Sequence, residues 1–117
     1  MALFESEQKI MNIIWRNEGI KASDIYRILK DSTGWARNTA YTIITRCIDK
    51  GYIRREDPGF RCFSLVSLEE EQKSKVQELI SNLYDNSVFN FLSAFTASHK
   101  LSKNEKKELK RMIDKME

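Results

Sequence analysis

The chain has 117 residues, 41% hydrophobic and 32% charged, which suits one compact domain or a small domain with a short appended unit and argues against global disorder. No apolar run approaches the ~20 residues of a membrane span. Met1-Ala2-Leu3-Phe4-Glu5 holds no basic region ahead of an apolar stretch, so a cytoplasmic chain with no membrane partner is expected.

The net charge of +3 is uneven: residues 1–68 carry 11 basic and 8 acidic side chains, and residues 69–117 carry 9 of each. Arg37, Arg46, Lys50, Arg54 and Arg55 face only Asp49 between Trp35 and Arg55. Such concentration is what phosphate neutralisation needs, because each cation set at a phosphate releases bound counterions. Charge alone does not separate this from a solvated surface. Cys47, Cys62 and the single His99 form no closely spaced ligand pair, so neither a metal nor another cofactor is expected. Both cysteines fall in apolar patterns and read as small buried hydrophobes rather than sensors.

The first periodic segment runs from about Ser6 to Arg16, with Ile10, Met11, Ile14 and Trp15 on one face. Gly19 is its stop. A second helix fits Ala22 to Lys30, with Ile25, Ile28 and Leu29 inward, and Asp31-Ser32-Thr33-Gly34 reads as a turn. A third helix fits Arg37 to Lys50. Advancing about 100° per residue gathers Ala40, Ile43, Ile44, Cys47 and Ile48 on one side. Asn38, Thr42, Thr45 and Asp49 fall opposite, flanked by Tyr41 and Arg46.

The period then changes. Tyr52–Glu56 and Arg61–Val66 read as strands joined by Asp57-Pro58-Gly59-Phe60, where Pro fixes one backbone angle and Gly allows a positive one. From Leu68 onward the pattern is helical. Glu69 to Asp85 opens on three acids that suit the positive end of a helix dipole. An apolar stretch covers Val88–Phe95, and a last helix opens with the capping box Ser102-Lys103-Asn104-Glu105.

Three helices, the third with a polar outer face, then a basic hairpin: this order predicts a mainly α fold with a small β-hairpin, an N-terminal winged helix-turn-helix over residues 1–67 followed by a helical segment over 68–117. A major groove admits one α-helix, and amide, hydroxyl and guanidinium groups read base edges there. Arg37, Asn38, Thr39, Tyr41, Thr42 and Thr45 supply that chemistry, while Arg46, Arg54, Arg55 and Arg61 are suited to phosphates. Thr39, Thr42 and Thr45 on one helix need a reason, since a branched Cβ disfavours helix, and contact with double-stranded DNA gives one. The alternative is a winged helix used for protein contact only, which calls for exposed apolar residues on that face. Catalysis is not expected: no triad forms around a lone histidine, and there is no phosphate-cradling glycine loop.

Ile10-Met11-Asn12-Ile13-Ile14-Trp15, Asn38-Thr39-Ala40-Tyr41-Thr42-Ile43-Ile44-Thr45-Arg46 and Lys50-Gly51-Tyr52-Ile53 resemble the penicillinase repressor (BlaI/MecI) family over nearly the whole chain. The resemblance implies a homodimeric repressor of palindromic operators, with Thr39, Thr42 and Arg46 on the recognition helix and Arg61 opening the last wing strand. It also implies proteolysis by a regulatory protease at an Asn-Phe bond, and Asn90-Phe91 matches that position. The plainer reading is that Asn90 sits in a packed helix. Phe4 departs from the family's Ser or Thr cap, Phe60 lengthens the wing turn by one residue, and the paired cysteines of copper-responsive relatives are missing near the C-terminus.

The C-terminal half needs a partner. Val76, Leu79, Ile80 and Leu83, then Phe91, Leu92 and Phe95, then Leu109, Met112, Ile113 and Met116 are too apolar to stand alone in so short a unit. Pairing two copies about a twofold axis buries them. Folding back on the N-terminal half is the alternative.

Overall fold

A computed structural model describes residues 3–116, which divide into one unit ending at Lys75 and a second beginning at Val76. In the first unit, α1 (Glu5–Arg16) opens with Glu5 and Glu7 at its positively polarised end and buries Ile10, Met11 and Ile14. Phe4 has no side-chain acceptor for the cap. Glu7 closes half of a capping box instead, its carboxylate accepting from the Phe4 N–H at 2.8 Å. Trp15 is only half-buried, and its indole N–H donates to the Val66 carbonyl at 2.9 Å.

Gly19 follows at φ +87°, where a Cβ would lie 3.1 Å from the Phe63 ring, so both backbone and space call for glycine. It leads into β1 (Ile20–Lys21), a two-residue strand with too little length to show alternation in sequence.

Helix α2 (Ala22–Thr33) runs three residues past its expected end. The Ser32 and Thr33 hydroxyls bond back to the Leu29 carbonyl, at 3.3 and 2.7 Å, and continue the helix rather than turning the chain. The reversal falls on Gly34 at φ +72°. Ile28 was expected inward but is 54% exposed. At about 100° per residue, the buried Ala22, Ile25 and Leu29 share an arc of about 60°, and Ile28 lies as far again beyond its edge.

Helix α3 (Arg37–Asp49) buries Ala40, Ile43, Ile44 and Cys47. Strands β2 (Ile53–Glu56) and β3 (Arg61–Ser64) form the hairpin, each shorter than its sequence pattern. The sheet is antiparallel in the order β1-β3-β2, with Ile20 and Arg55 both opposite Cys62. The core lies where α1, α2 and α3 meet the inner face of β2 and β3, through Ile10, Ile14, Ile25, Ile44, Ile53 and Cys62.

Helix α4 (Leu68–Leu83) opens under Ser67, whose hydroxyl accepts from the Glu70 N–H at 2.9 Å. The unit boundary falls inside this helix. In the second unit, α5 (Val88–Ser98) is capped by Ser87, and α6 (Lys103–Asp114) by the expected Ser102/Glu105 box. The Phe91 ring packs edge-on to Tyr84 and tilted to Phe95, at centroid distances of 5.4 and 6.2 Å. No described residue of α4, α5 or α6 is buried.

Candidate nucleic-acid interface

The outward side of α3 is largely solvent-exposed. Arg37, Asn38, Thr39, Thr42 and Thr45 are exposed, and Tyr41 and Arg46 half-buried. Asn38, Tyr41, Thr42, Thr45, Arg46 and Asp49 line one shallow open depression. No large apolar side chain stands on this face; its apolar residues Ala40, Ile43, Ile44 and Cys47 are spent on the core.

Individual side chains are more committed than their types suggest. The Thr42 hydroxyl donates to the Asn38 carbonyl at 2.8 Å, which spends its proton and leaves this exposed side chain an acceptor oxygen and a methyl to offer. Arg37 Nη2 donates to the Tyr41 hydroxyl at 3.1 Å, with its guanidinium 4.9 Å from the Tyr41 ring centroid. Tyr41 is turned towards the hairpin, its ring perpendicular to that of Phe60 at 5.7 Å.

Arg46 is drawn to α1. Its Nε donates to Glu7 Oε2 at 3.1 Å and its Nη2 to Ser6 Oγ at 3.0 Å. Lys50 reaches the same carboxylate at 2.9 Å, and its ammonium lies 3.9 Å from the Phe4 ring centroid. Burial pushes the Glu7 carboxyl up, but hydrogen bonds from Lys50, the Phe4 N–H and Arg46 outweigh it and hold the group below its ordinary value. Glu7, Phe4 and Lys50 were not singled out as site residues from sequence. Glu7 three residues after a cap position is a local signal, but its meeting with Arg46 spans 39 residues and leaves none.

The hairpin carries three exposed arginines, each with an internal partner. Arg54 pairs with Glu56 at 2.6 Å over the Phe63 ring, and Arg55 with Asp57 at 2.9 Å over the Phe60 ring. Arg61 Nη1 donates to the Gly19 carbonyl at 3.0 Å. Surface pairs of this kind hold a guanidinium in place at small cost and leave it open to exchange for a stronger anion.

The two cysteines are buried and free. Burial pushes the Cys47 thiol up to about 12 and the Cys62 thiol to about 11, so both stay protonated and weakly nucleophilic at neutral pH. Among the described residues, no group of His, Cys, Asp and Glu could hold a metal ion, and no helix is long and apolar enough to cross a membrane.

In the second unit the residues expected to pair copies lie open. Leu83, Met112, Ile113 and Met116 are 72%, 65%, 52% and 75% exposed. Val76, Leu79, Leu92 and Phe95 are exposed too, and Ile80, Phe91 and Leu109 half-buried. Leu92, Phe95, Leu109 and Met112 line a common hollow. Asn90 and Phe91 lie in the first turn of α5, where the Asn90 N–H donates to the Ser87 cap at 3.0 Å.

Comparison with known proteins gives a consistent result. The profile of a family described as "Penicillinase repressor" matches residues 3–115. The methicillin resistance regulatory protein MecI of Mammaliicoccus sciuri is 28% identical over 112 residues, 94% of this chain and 91% of that protein. MecI of Staphylococcus aureus strain N315 matches to the same extent, 28% over 112 residues. Among solved structures, the DNA-binding domain of the repressor BlaI superposes with a TM-score of 0.53 at 21% identity, covering 58% of this chain and 85% of that one. A multiple antibiotic-resistance repressor (MarR) from Listeria monocytogenes gives 0.52 at 20%, covering 97% and 71%. These two likenesses establish the winged-helix fold.

Proposed function

This chain belongs to the penicillinase repressor family, and on that basis and the geometry of α3 we propose that it is a sequence-specific transcriptional repressor that binds a palindromic operator in double-stranded DNA as a homodimer. One observation carries the reading: the recognition helix presents amide, hydroxyl and guanidinium groups outward, beside a hairpin bearing Arg54, Arg55 and Arg61. Asn38, Thr39, Thr42 and Thr45, with Arg37 at the helix start, face base edges. The hairpin arginines and the free side of Arg46 face phosphates, and Tyr41 supports Arg37 at the margin.

Residues 1–67 form the DNA-binding domain and 68–117 the dimerisation segment. The apolar faces of α4, α5 and α6 are too large to leave to water. A second copy covers them and sets two recognition helices about one DNA turn apart or a multiple of it, ~34 Å per turn. Such a protein works in the cytoplasm, and a regulatory protease cutting at Asn90-Phe91 is the proposed route of inactivation.

Fluorescence anisotropy on duplexes enriched from a random-sequence pool tests the reading. The expected result is tight binding to enriched duplexes, weaker binding to scrambled ones, and a steep fall of affinity with salt. In that titration Arg54→Ala lowers the salt slope by about one unit. A protein that enriches no duplex at low ionic strength ends the proposal.

A further inference from the structure

The wing tip of this chain is locked to the recognition helix through one aromatic residue. Phe60 sits at φ +50°, a left-handed conformation that side-chain-bearing residues rarely adopt, directly after Gly59 at φ +97°. Three contacts hold it there. Its N–H donates to Asp57 Oδ1 at 3.2 Å, and its carbonyl accepts from the Ala22 N–H at the start of α2 at 3.0 Å. Its half-buried ring packs against the edge of the core. A strained residue fixed from several sides is often a working part rather than a filler.

The ring joins two cations that sequence places far apart. Arg55 Cζ lies 3.7 Å from the Phe60 ring centroid. The same guanidinium donates to the Asp57 carboxylate, which also receives the Phe60 N–H. Phe60 also meets Tyr41 perpendicularly at 5.7 Å, and Tyr41 accepts from Arg37 at the first position of α3. The series Arg55, Phe60, Tyr41, Arg37 thus runs from the wing to the start of the recognition helix without a gap.

We infer that Phe60 is a positioning residue that fixes the wing's Arg55 relative to Arg37, so that wing and recognition helix engage one duplex as a single rigid surface. This deepens the DNA-binding reading and rests on it. With the ring in place, the spacing of the two guanidiniums is set before DNA arrives, and only a duplex whose groove matches that spacing receives both. Without it, Arg55 moves independently, binding becomes weaker, and the weakening falls on the preferred sequence. Phe60 itself touches no base or phosphate.

The test compares Phe60→Leu, Phe60→Tyr, Arg55→Ala and the Phe60→Leu/Arg55→Ala double variant as full-length protein. Each is titrated by anisotropy with the duplex that the unaltered protein enriches from a random pool and with a scrambled duplex of equal composition. Leu keeps apolar bulk but has no π face for Arg55. Phe60→Leu is expected to weaken the enriched duplex about fivefold, the scale of one aromatic pair and one cation–π contact. The scrambled duplex loses less than about twofold, because non-specific binding depends on phosphate neutralisation rather than fixed geometry. Phe60→Tyr binds as the unaltered protein does. The double variant matches Arg55→Ala within about twofold, because the two changes remove one coupled device. In NMR spectra of the free protein, the Arg55 Hδ resonances lose their ring-current shift in Phe60→Leu alone. Losses that multiply, equal losses on both duplexes, or a Phe60→Leu variant with unaltered affinity overturn the inference and leave the DNA-binding reading standing. Failure of the unaltered protein to enrich any duplex overturns both.

Discussion

Replacing Glu7 with Gln is expected to lower the stability of the first unit by about 2 kcal/mol. Glu7 is fully buried and receives the Phe4 N–H at 2.8 Å, Lys50 at 2.9 Å and Arg46 at 3.1 Å. Gln keeps the shape and one acceptor, but it places an uncharged amide against two cations. Removing one member of a fully buried ion pair costs about 3–5 kcal/mol. Here the cations can recover water, since the Arg46 side chain is 40% exposed and that of Lys50 26%, so the lower figure of about 2 kcal/mol is the right scale. In a unit of this size that is a fall in melting temperature of about 10 °C. Circular dichroism melts at one fixed protein concentration read it, because self-association would otherwise contribute. The pH dependence gives a second check. The folded Glu7 carboxyl lies below its ordinary value, so its stabilisation is complete above the ordinary Glu range near ~4.3 and is lost as pH falls through the folded value. The gap between the two proteins is therefore widest near neutrality and closes in acid. A melting point within about 2 °C of the unaltered protein at pH 7, or a gap that ignores pH, would refute the reasoning.

Three further outcomes are expected. Thr42→Ala loses the methyl and acceptor, and costs ~1–3 kcal/mol of discrimination at one base position in competition anisotropy; an equal loss on random duplex counts against base reading. Leu83→Glu puts a charge on the most exposed large apolar side chain of α4 and shifts the protein to monomer in sedimentation velocity, with the circular dichroism spectrum of the first unit kept; a dimer of unchanged strength removes that face from the interface. Cys47 and Cys62 react with a thiol reagent at the rate of global opening, slow in buffer and fast in urea, because both are buried with thiol values raised to about 12 and about 11; prompt native labelling of either contradicts that burial.

Most of the fold was legible because its signals are local. The apolar spacing of Ile10, Met11 and Ile14 and of Ala40, Ile43, Ile44 and Cys47 is periodic within one helix, and the hairpin turn is announced by Pro58-Gly59. What escaped has non-local causes. β1 exists because β3 supplies hydrogen bonds to two residues that could not form a strand alone. Ile28 fits an inward pattern by type, yet the core ends one side chain short of it. In the candidate site, residue types on α3 indicated which face points outward, but not that Arg46 would be drawn to Glu7 and Arg37 to Tyr41. The first of these depends on how close α1 and α3 come, which is set by the core, whereas Arg37 and Tyr41 stand one turn apart on α3 itself.

The position of Asn90-Phe91 bears on how such a repressor would be switched off. The bond lies in the first turn of a capped helix, so a protease that binds extended backbone must first unwind that turn. Little packing opposes that unwinding, since Asn90 is exposed and no described residue of α5 is buried. A cut there would separate α4 from Leu92, Phe95, Leu109 and Met112, which line one apolar hollow, and would sever Phe91 from its edge contact with Tyr84. Arg37, Asn38, Thr42 and the wing would remain intact on the upstream fragment. The loss would therefore fall on pairing and not on recognition. Two half-sites held by one dimer bind far more tightly than either alone, because the second contact is made at high effective concentration. Removing the apolar faces would abolish that gain without altering a single base contact.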